Sequence, residues 1–301
     1  MAIAIEKGSI LVHRVFDIGG EISLMKAGQI LSAGGTRLKF PTDIRKAMII
    51  RESPLKADLG EETLSLPSGR YPGHVFARIW NYGVLSVTLE LAIPPGTDWD
   101  RLVKIASELE TSEEMDLIAV SRKDALKKRI MPAVENPAEW EIFEDYITYI
   151  IEKAPGIESP REFIKNVDVA ALILAEPRER ISEDNRAFIL ESAMQYSATD
   201  LALIDWNSAL LIEPDGQRDV ADVIEFSLTH LLEFRYYDEM LGRKLDQLYD
   251  TMDQKRESVV NIFRNVYADI AEDSSRKYME FSEFLGRVEN SLKTVGDSYL
   301  A

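Results

Sequence analysis

The 301-residue sequence predicts an α+β protein: a mixed α/β body with a small sheet, followed by long C-terminal helices in a hairpin or coiled-coil arrangement. Three observations carry that expectation. In the first hundred positions, apolar runs are broken by turn-forming residues, as in strands joined by hairpins. Between positions 97 and 195 the apolar spacing is mostly helical. After Pro214 the sequence contains no proline, and apolar residues recur every three or four positions almost to the end. The body is expected to occupy residues 1–216 and the helical arm residues 217–301.

Taken in order, Ile10 to Gly20 begins as a strand. Ile10, Val12, Phe16 and Ile18 share one face, with Arg14 as the exception. Glu21 to Ser32 has helical spacing, and Lys46 to Ser53 reads as a short strand. Asn81-Tyr82-Gly83 separates two strand-like runs and marks a hairpin. In the second run Leu85, Val87, Leu89, Leu91 and Ile93 face one way, and Ser86, Thr88 and Glu90 the other. Pro94-Pro95-Gly96 ends it.

Asp98 or Thr97 can cap a helix reaching about Glu110, and Thr111 or Ser112 a second reaching about Met131. A third helix is expected from Pro137, carrying Trp140, Ile142, Phe143, Tyr146, Ile147 and Ile150. Ala154 to Pro160 reads as a connection. Val167 to Glu176 reads as a strand, although a helix has the same apolar content there. Asn185 to Gln195 reads as helical. Leu201 to Ile204 and Ala209 to Ile212 are two short strands that turn at Asp205-Trp206-Asn207-Ser208. Pro214-Asp215-Gly216 is then a turn, with Asp219 as the N-cap of the arm. Trp-Asn occurs in both expected hairpins, as Trp80-Asn81 and Trp206-Asn207.

In the arm, Val220, Ile224, Ser227, Leu231, Phe234, Asp238, Leu241, Leu245, Leu248 and Met252 form a heptad-like stripe. Val259, Phe263, Val266 and Ile270 continue it, and Phe281, Leu285, Val288, Leu292, Val295 and Tyr299 repeat it. Glu272 to Ser275 is the expected break. The stripes at residues 220–252 and 281–299 imply a homo-oligomer or a partner helix.

A formal charge of −17, from 35 basic and 52 acidic side chains, argues against nucleic acid or anionic lipid as a partner. Arg122, Lys123, Lys127, Lys128 and Arg129 form the densest basic cluster and read as a solvated helix face. The absence of cysteine excludes thiol catalysis, thiolate metal sites and disulfides, and fits a reducing, cytoplasmic setting. No apolar run approaches the ~18 residues that a membrane span needs. The apolar stripe meets no stop signal at Tyr299, so membrane attachment is expected only through a segment beyond the sequence.

Candidate chemistry is sparse. His13, His74 and His230 stand far apart, without metal-ligand spacing. Ser208 lies near Asp205 but lacks a nucleophile elbow, and reads as a turn serine. Gly19-Gly20 reads as a strand-to-helix turn, whose amides are a lesser candidate for an anion. Asp246, Asp250 and Asp253 share one helical face and are the candidate metal site, for Mg²⁺ or Ca²⁺. No catalytic residue and no other cofactor is indicated, so an enzyme built on Asp205 and other carboxylates is the least supported reading.

The strand pair HVFARIWNYGVLSV (His74 to Val87) and the stretch DWNSALLIEPDG (Asp205 to Gly216), leading into long helices, resemble the meiotic-nuclear-division (Rmd) family. The likeness covers roughly residues 73–111 and 200–252 and transfers no site residue. It implies an α/β region, a helical region and a C-terminal membrane anchor. The layout also resembles the cytosolic part of CorA-type magnesium transporters, without their Gly-Met-Asn signature. The expected function is that of a non-enzymatic interaction or scaffold protein, self-associating or at the inner face of a membrane. A divalent-cation-sensing domain of a transporter is the alternative.

Overall fold

The structure, a computed structural model, describes residues 3–39, 53–138, 140–176, 181–255 and separate positions between 271 and 286. Its centre is an eight-stranded sheet, larger than the small sheet expected. The strands are β2 (Lys7–Asp17), β3 (Leu38–Lys39), β4 (Leu55–Leu66), β5 (Gly69–Ile79), β6 (Val84–Ala92), β8 (Phe143–Lys153), β9 (Leu201–Ile204) and β10 (Ser208–Ile212). They lie in the order β3-β4-β5-β6-β2-β8-β10-β9. All neighbours are antiparallel except β8 and β10, which run parallel. A parallel pair needs a crossover, and the short helices α4 (Pro160–Phe163), α5 (Val169–Ile173) and α6 (Glu183–Glu191) supply it. The two-residue strands β1 (Ala4–Ile5) and β7 (Thr97–Asp98) pair separately.

Helices cover both faces of this sheet. On one side lie α1 (Leu24–Ala33), α2 (Trp99–Glu110), α3 (Glu113–Ile130) and the crossover helices. They pack on Ile10, Val12, Phe16, Val87, Leu89, Leu91 and Tyr149. The opposite face carries Leu11, Val15, Trp80, Val84, Tyr146 and Ile150, and α7 (Asp219–Lys255) lies across it. The alternation in β2 is therefore real, but neither of its faces meets water. Arg14 sits on the α3 side and pairs with Asp116 at 2.6 Å, which accounts for a charge on an apolar face. Asp98 caps α2 by accepting from the Arg101 amide at 2.8 Å. Both expected hairpins form, with Trp80 buried, whereas Trp206 is 78% exposed and covers nothing.

Three expectations are corrected. The helix from Pro137 is instead β8, a central strand between β2 and β10. Tyr146, Ile147, Tyr149, Ile150 and Ile151 are all buried, and a strand buried on both faces shows no alternation to separate it from a helix. Its run of β-branched residues, Ile147-Thr148 and Ile150-Ile151, is the signal that favours the strand.

The expected strand in Val167 to Glu176 is α5. Asp168 caps it by accepting from the Ala171 amide at 3.2 Å, and all five of its residues are buried. Burial on every side removed the periodicity.

The third correction concerns the break at Glu272 to Ser275, since Glu272, Ser274 and Ser275 are helical. Phe281 nevertheless lies 5.5 Å from Tyr237, so the chain does return to α7.

The stripe of residues 220–252 divides between two surroundings. Val220 and Ile224 face the sheet, but Leu231 is 43% exposed and Ser227 and Asp238 are exposed. The helix is seated by Ala221, Glu225, Leu228, Thr229 and Leu232, a set that includes polar residues and so escapes an apolar pattern. The strand expected over Lys46 to Ser53 lies almost wholly outside the described residues, as do Val259, Phe263, Val266, Ile270, Val288, Leu292, Val295 and Tyr299.

Candidate functional site

The face of the sheet under α7 is polar at its centre. β2, β5 and β6 place His13, Arg78, Ser86 and Thr88 there, because alternate residues of adjacent strands share a face. α7 answers with Asp222, Glu225 and Thr229. The Arg78 guanidinium binds Asp222 at 2.5 Å and also pairs with Glu225. Glu225 is 1% exposed and accepts a second, short hydrogen bond from the Ser86 hydroxyl. A buried carboxylate survives only when paired and hydrogen-bonded, and this one is both.

His13 is sealed beside them. Its Nδ1 lies 2.9 Å from the Thr88 hydroxyl and 4.0 Å from Glu225, while Nε2 has no hydrogen-bond partner. Burial, then the positive charges of Arg78 and Arg14, hold its pKa down at about 3. The ring is therefore neutral at physiological pH. Fully buried, it has neither access to a substrate nor the pKa of a general base. Further links run along the helix. Arg218 donates to Ser9 at 2.8 Å and to Glu90 at 3.0 Å, the Tyr82 and Thr229 hydroxyls meet at 2.7 Å, and Arg235 binds Glu144 at 2.5 Å. The network is a seat that fixes α7 in one orientation.

Fixing one side of α7 determines what the other side presents. Leu241, Leu245 and Tyr249 follow at four-residue spacing and are 39%, 51% and 60% exposed. Tyr278 and Met279, in the returning part of the chain, are also exposed.

The residues singled out in the sequence are scattered. Asp246 and Asp250 are exposed on α7, and the Asp253 side chain lies outside the described residues. Among the described residues no group of three His, Cys, Asp or Glu is placed to hold a metal ion. The Ser208 hydroxyl donates to the Ile173 carbonyl at 2.8 Å, and the Tyr146 hydroxyl is shared between the Asp205 and Ser208 carbonyls. Ser208 is thus a structural residue of the β9–β10 corner.

The Gly19 amide donates to Asp17 and the Gly20 amide to the Glu135 carbonyl, so neither is available to an anion. His74 lies between Asp58 and Glu61 on β4, and His230 meets the Phe226 ring edge-on at 4.3 Å and lies tilted to the Tyr82 ring at 5.8 Å. The basic cluster is not one solvated face. Lys123 is buried above the Phe16 ring, and Arg122 pairs with Glu62. Sequence reasoning missed the Arg78–Glu225 seat. Its only trace was the polar alternation of Ser86, Thr88 and Glu90 together with Asp222 and Glu225 in the following amphipathic helix.

Residues 7–219 match the family model described as "Uncharacterized protein MJ0711, N-terminal domain". The chain belongs to this family. It is also similar to the "Uncharacterized protein MJ0711" of Methanocaldococcus jannaschii, 20% identical over 202 residues. That alignment covers 66% of this chain and 59% of the relative, so the chain spans less than two thirds of the relative's length. No solved structure matches. The match to the MJ0711 N-terminal family ends at residue 219, where α7 begins, and says nothing of Rmd proteins or CorA-type transporters. Among the described residues, no helix is long and apolar enough to cross a membrane.

Proposed function

We propose that the protein is a non-enzymatic association module, in which the sheet-based body holds a helical arm that pairs with the arm of a second copy. The observation that carries this reading is the exposed row of Leu241, Leu245 and Tyr249 on α7, whose earlier turns are already committed to the sheet. Exposed apolar residues in register on one helix face are what helix–helix association uses. A second copy fits because two identical rows can meet around a two-fold axis.

Sedimentation equilibrium on the full chain tests it. A dimer at micromolar concentration, converted to monomer by Leu241→Glu with Leu245→Glu, is the expected result. A monomer up to about a hundred micromolar overturns it, and so does a dimer that the double variant leaves intact.

A further inference from the structure

The two faces of the sheet are closed by different chemistry. Towards α1, α2 and α3 the sheet presents Ile10, Val12, Phe16, Val87, Leu89 and Leu91, an apolar set. Towards α7 it presents a mixture that is incompletely satisfied. His13 and Thr148 are 0% exposed and Trp80 is 2% exposed. The Nε2 atom of His13, Oγ1 of Thr148 and Nε1 of Trp80 are buried without a hydrogen-bond partner among the described residues. All three side chains lie on the α7 face. His13 is 4.0 Å from Glu225, and the Trp80 ring is 5.3 Å from that of Phe226. Thr148 falls between Tyr146 and Ile150 in the alternation of β8. The fourth such atom, Asn207 Oδ1, lies in the turn between β9 and β10.

The Nδ1 atom of His13 faces the Thr88 hydroxyl, so Nε2 is left as a bare donor or a bare acceptor in either neutral tautomer. A buried polar atom without a partner costs free energy that water would restore. Closing α7 over the sheet therefore carries a penalty that is relieved when the helix lifts. The ionic contacts act in the same direction. Arg78 with Asp222 and Glu225, and Arg235 with Glu144, leave water when α7 closes, and separating them restores the hydration of each charge. Leu228 and Leu232 oppose this by holding the helix down through apolar burial.

Topology lets the helix leave alone. All eight described strands of the sheet precede α7, so their ladders stay complete without it. Residues 213–218 join α7 to β10 and turn at Gly216, whose φ is +68°. We propose that α7 is a hinged cover, which lifts about residues 213–218 in a minor population while the eight strands stay paired. Lifting it gives His13, Thr148 and Trp80 to water and lays open a groove lined by Leu11, Val15 and Ile150. Leu241, Leu245 and Tyr249 lie beyond the seat, so the inference does not rest on the association reading.

Native-state hydrogen exchange of the full chain, read by mass spectrometry across a series of low denaturant concentrations, tests it. Amides of residues 222–237 should exchange together, at least ~10-fold faster than those at the centres of β2 and β8. Their dependence on denaturant should be shallower than that of the sheet. Thr148→Val removes one unpartnered atom with little change of shape, and should slow exchange in α7 roughly fivefold or more. Exchange of residues 222–237 that coincides with that of β2 and β8 overturns the inference, because the helix then leaves only with the whole fold. Rates scattered from residue to residue along α7 overturn it as well, since that is fraying. So does a folded Thr148→Val chain whose α7 exchanges as fast as the parent's. Should that variant not fold, the comparison of α7 with β2 and β8 in the parent decides the matter.

Discussion

The guanidinium of Arg78, on strand β5, closes over the carboxylate of Glu225, on helix α7, and the acid is left 1% exposed. Replacing Arg78 with Met strands that carboxylate in the interior with Ser86 as its remaining close donor. Denaturant unfolding should show a loss of roughly 3–5 kcal/mol. Arg78→Met combined with Glu225→Leu should recover a large part of it, because the unpaired charge is then gone.

His13 sets a pH dependence of its own. Its pKa is about 3 in the folded chain and near 6.5 when unfolded, so between those values the unfolded chain holds the extra proton. The stability it contributes is complete above about pH 6.5 and is lost as the pH falls towards 3. Asp17 acts in the opposite sense between about pH 4 and 6, since its pKa is raised on folding. Comparing the parent with His13→Asn isolates the histidine. The parent should gain roughly 2–3 kcal/mol relative to the variant between pH 4 and pH 6 in denaturant midpoints.

Two glycines should respond in opposite directions to alanine. Gly83 has φ +95°, and a Cβ there would run into the Gly19 and Gly20 carbonyls. Gly83→Ala is expected to cost more than about 2 kcal/mol, because it meets both strain and backbone overlap. Gly242 lies in the exposed part of α7 with nothing near its missing side chain. Gly242→Ala should stabilise by about 0.5–1 kcal/mol, and paired thermal melts would reveal both signs.

The Tyr146 hydroxyl, 2.8 Å from the Asp205 carbonyl and 2.7 Å from that of Ser208, ties β8 to the β9–β10 corner. Its phenol pKa is driven upward mainly by burial, so it stays a donor at any working pH. Tyr146→Phe should cost about 1–2 kcal/mol in denaturant unfolding. It should also speed hydrogen exchange in β9 and β10.

The sequence made the edges of the fold legible and its middle illegible. Asn81-Tyr82-Gly83, Asp205 to Ser208 and Asp98 each carry a local requirement, a turn or a cap, that a few residues state outright. β8 and α5 carry none. Both are buried all round, so their periodicity vanished, and only their neighbours decide which is a strand and which a helix. The seat of α7 was hidden for a related reason. Polar residues on β6 suggest solvent, whereas Ser86 and Thr88 are buried because Glu225 and its neighbours descend on them. Asp17 sits at the end of a strand with nothing local to mark it. Trp140 and α7, which line the same cavity as Asp17, are remote from it in the chain.

The position of α7 also bears on how the protein is made. Every described strand of the sheet precedes residue 213, yet among the described residues the face around His13 and Trp80 is closed by α7, from residues 219 to 237. A nascent chain released no further than β10 would therefore hold a finished sheet with one side open. The segment that defines the family, residues 7–219, stops at the threshold of its own cover. A truncation at residue 216 should bind hydrophobic dyes and aggregate, so the smallest autonomous unit is longer than the family match.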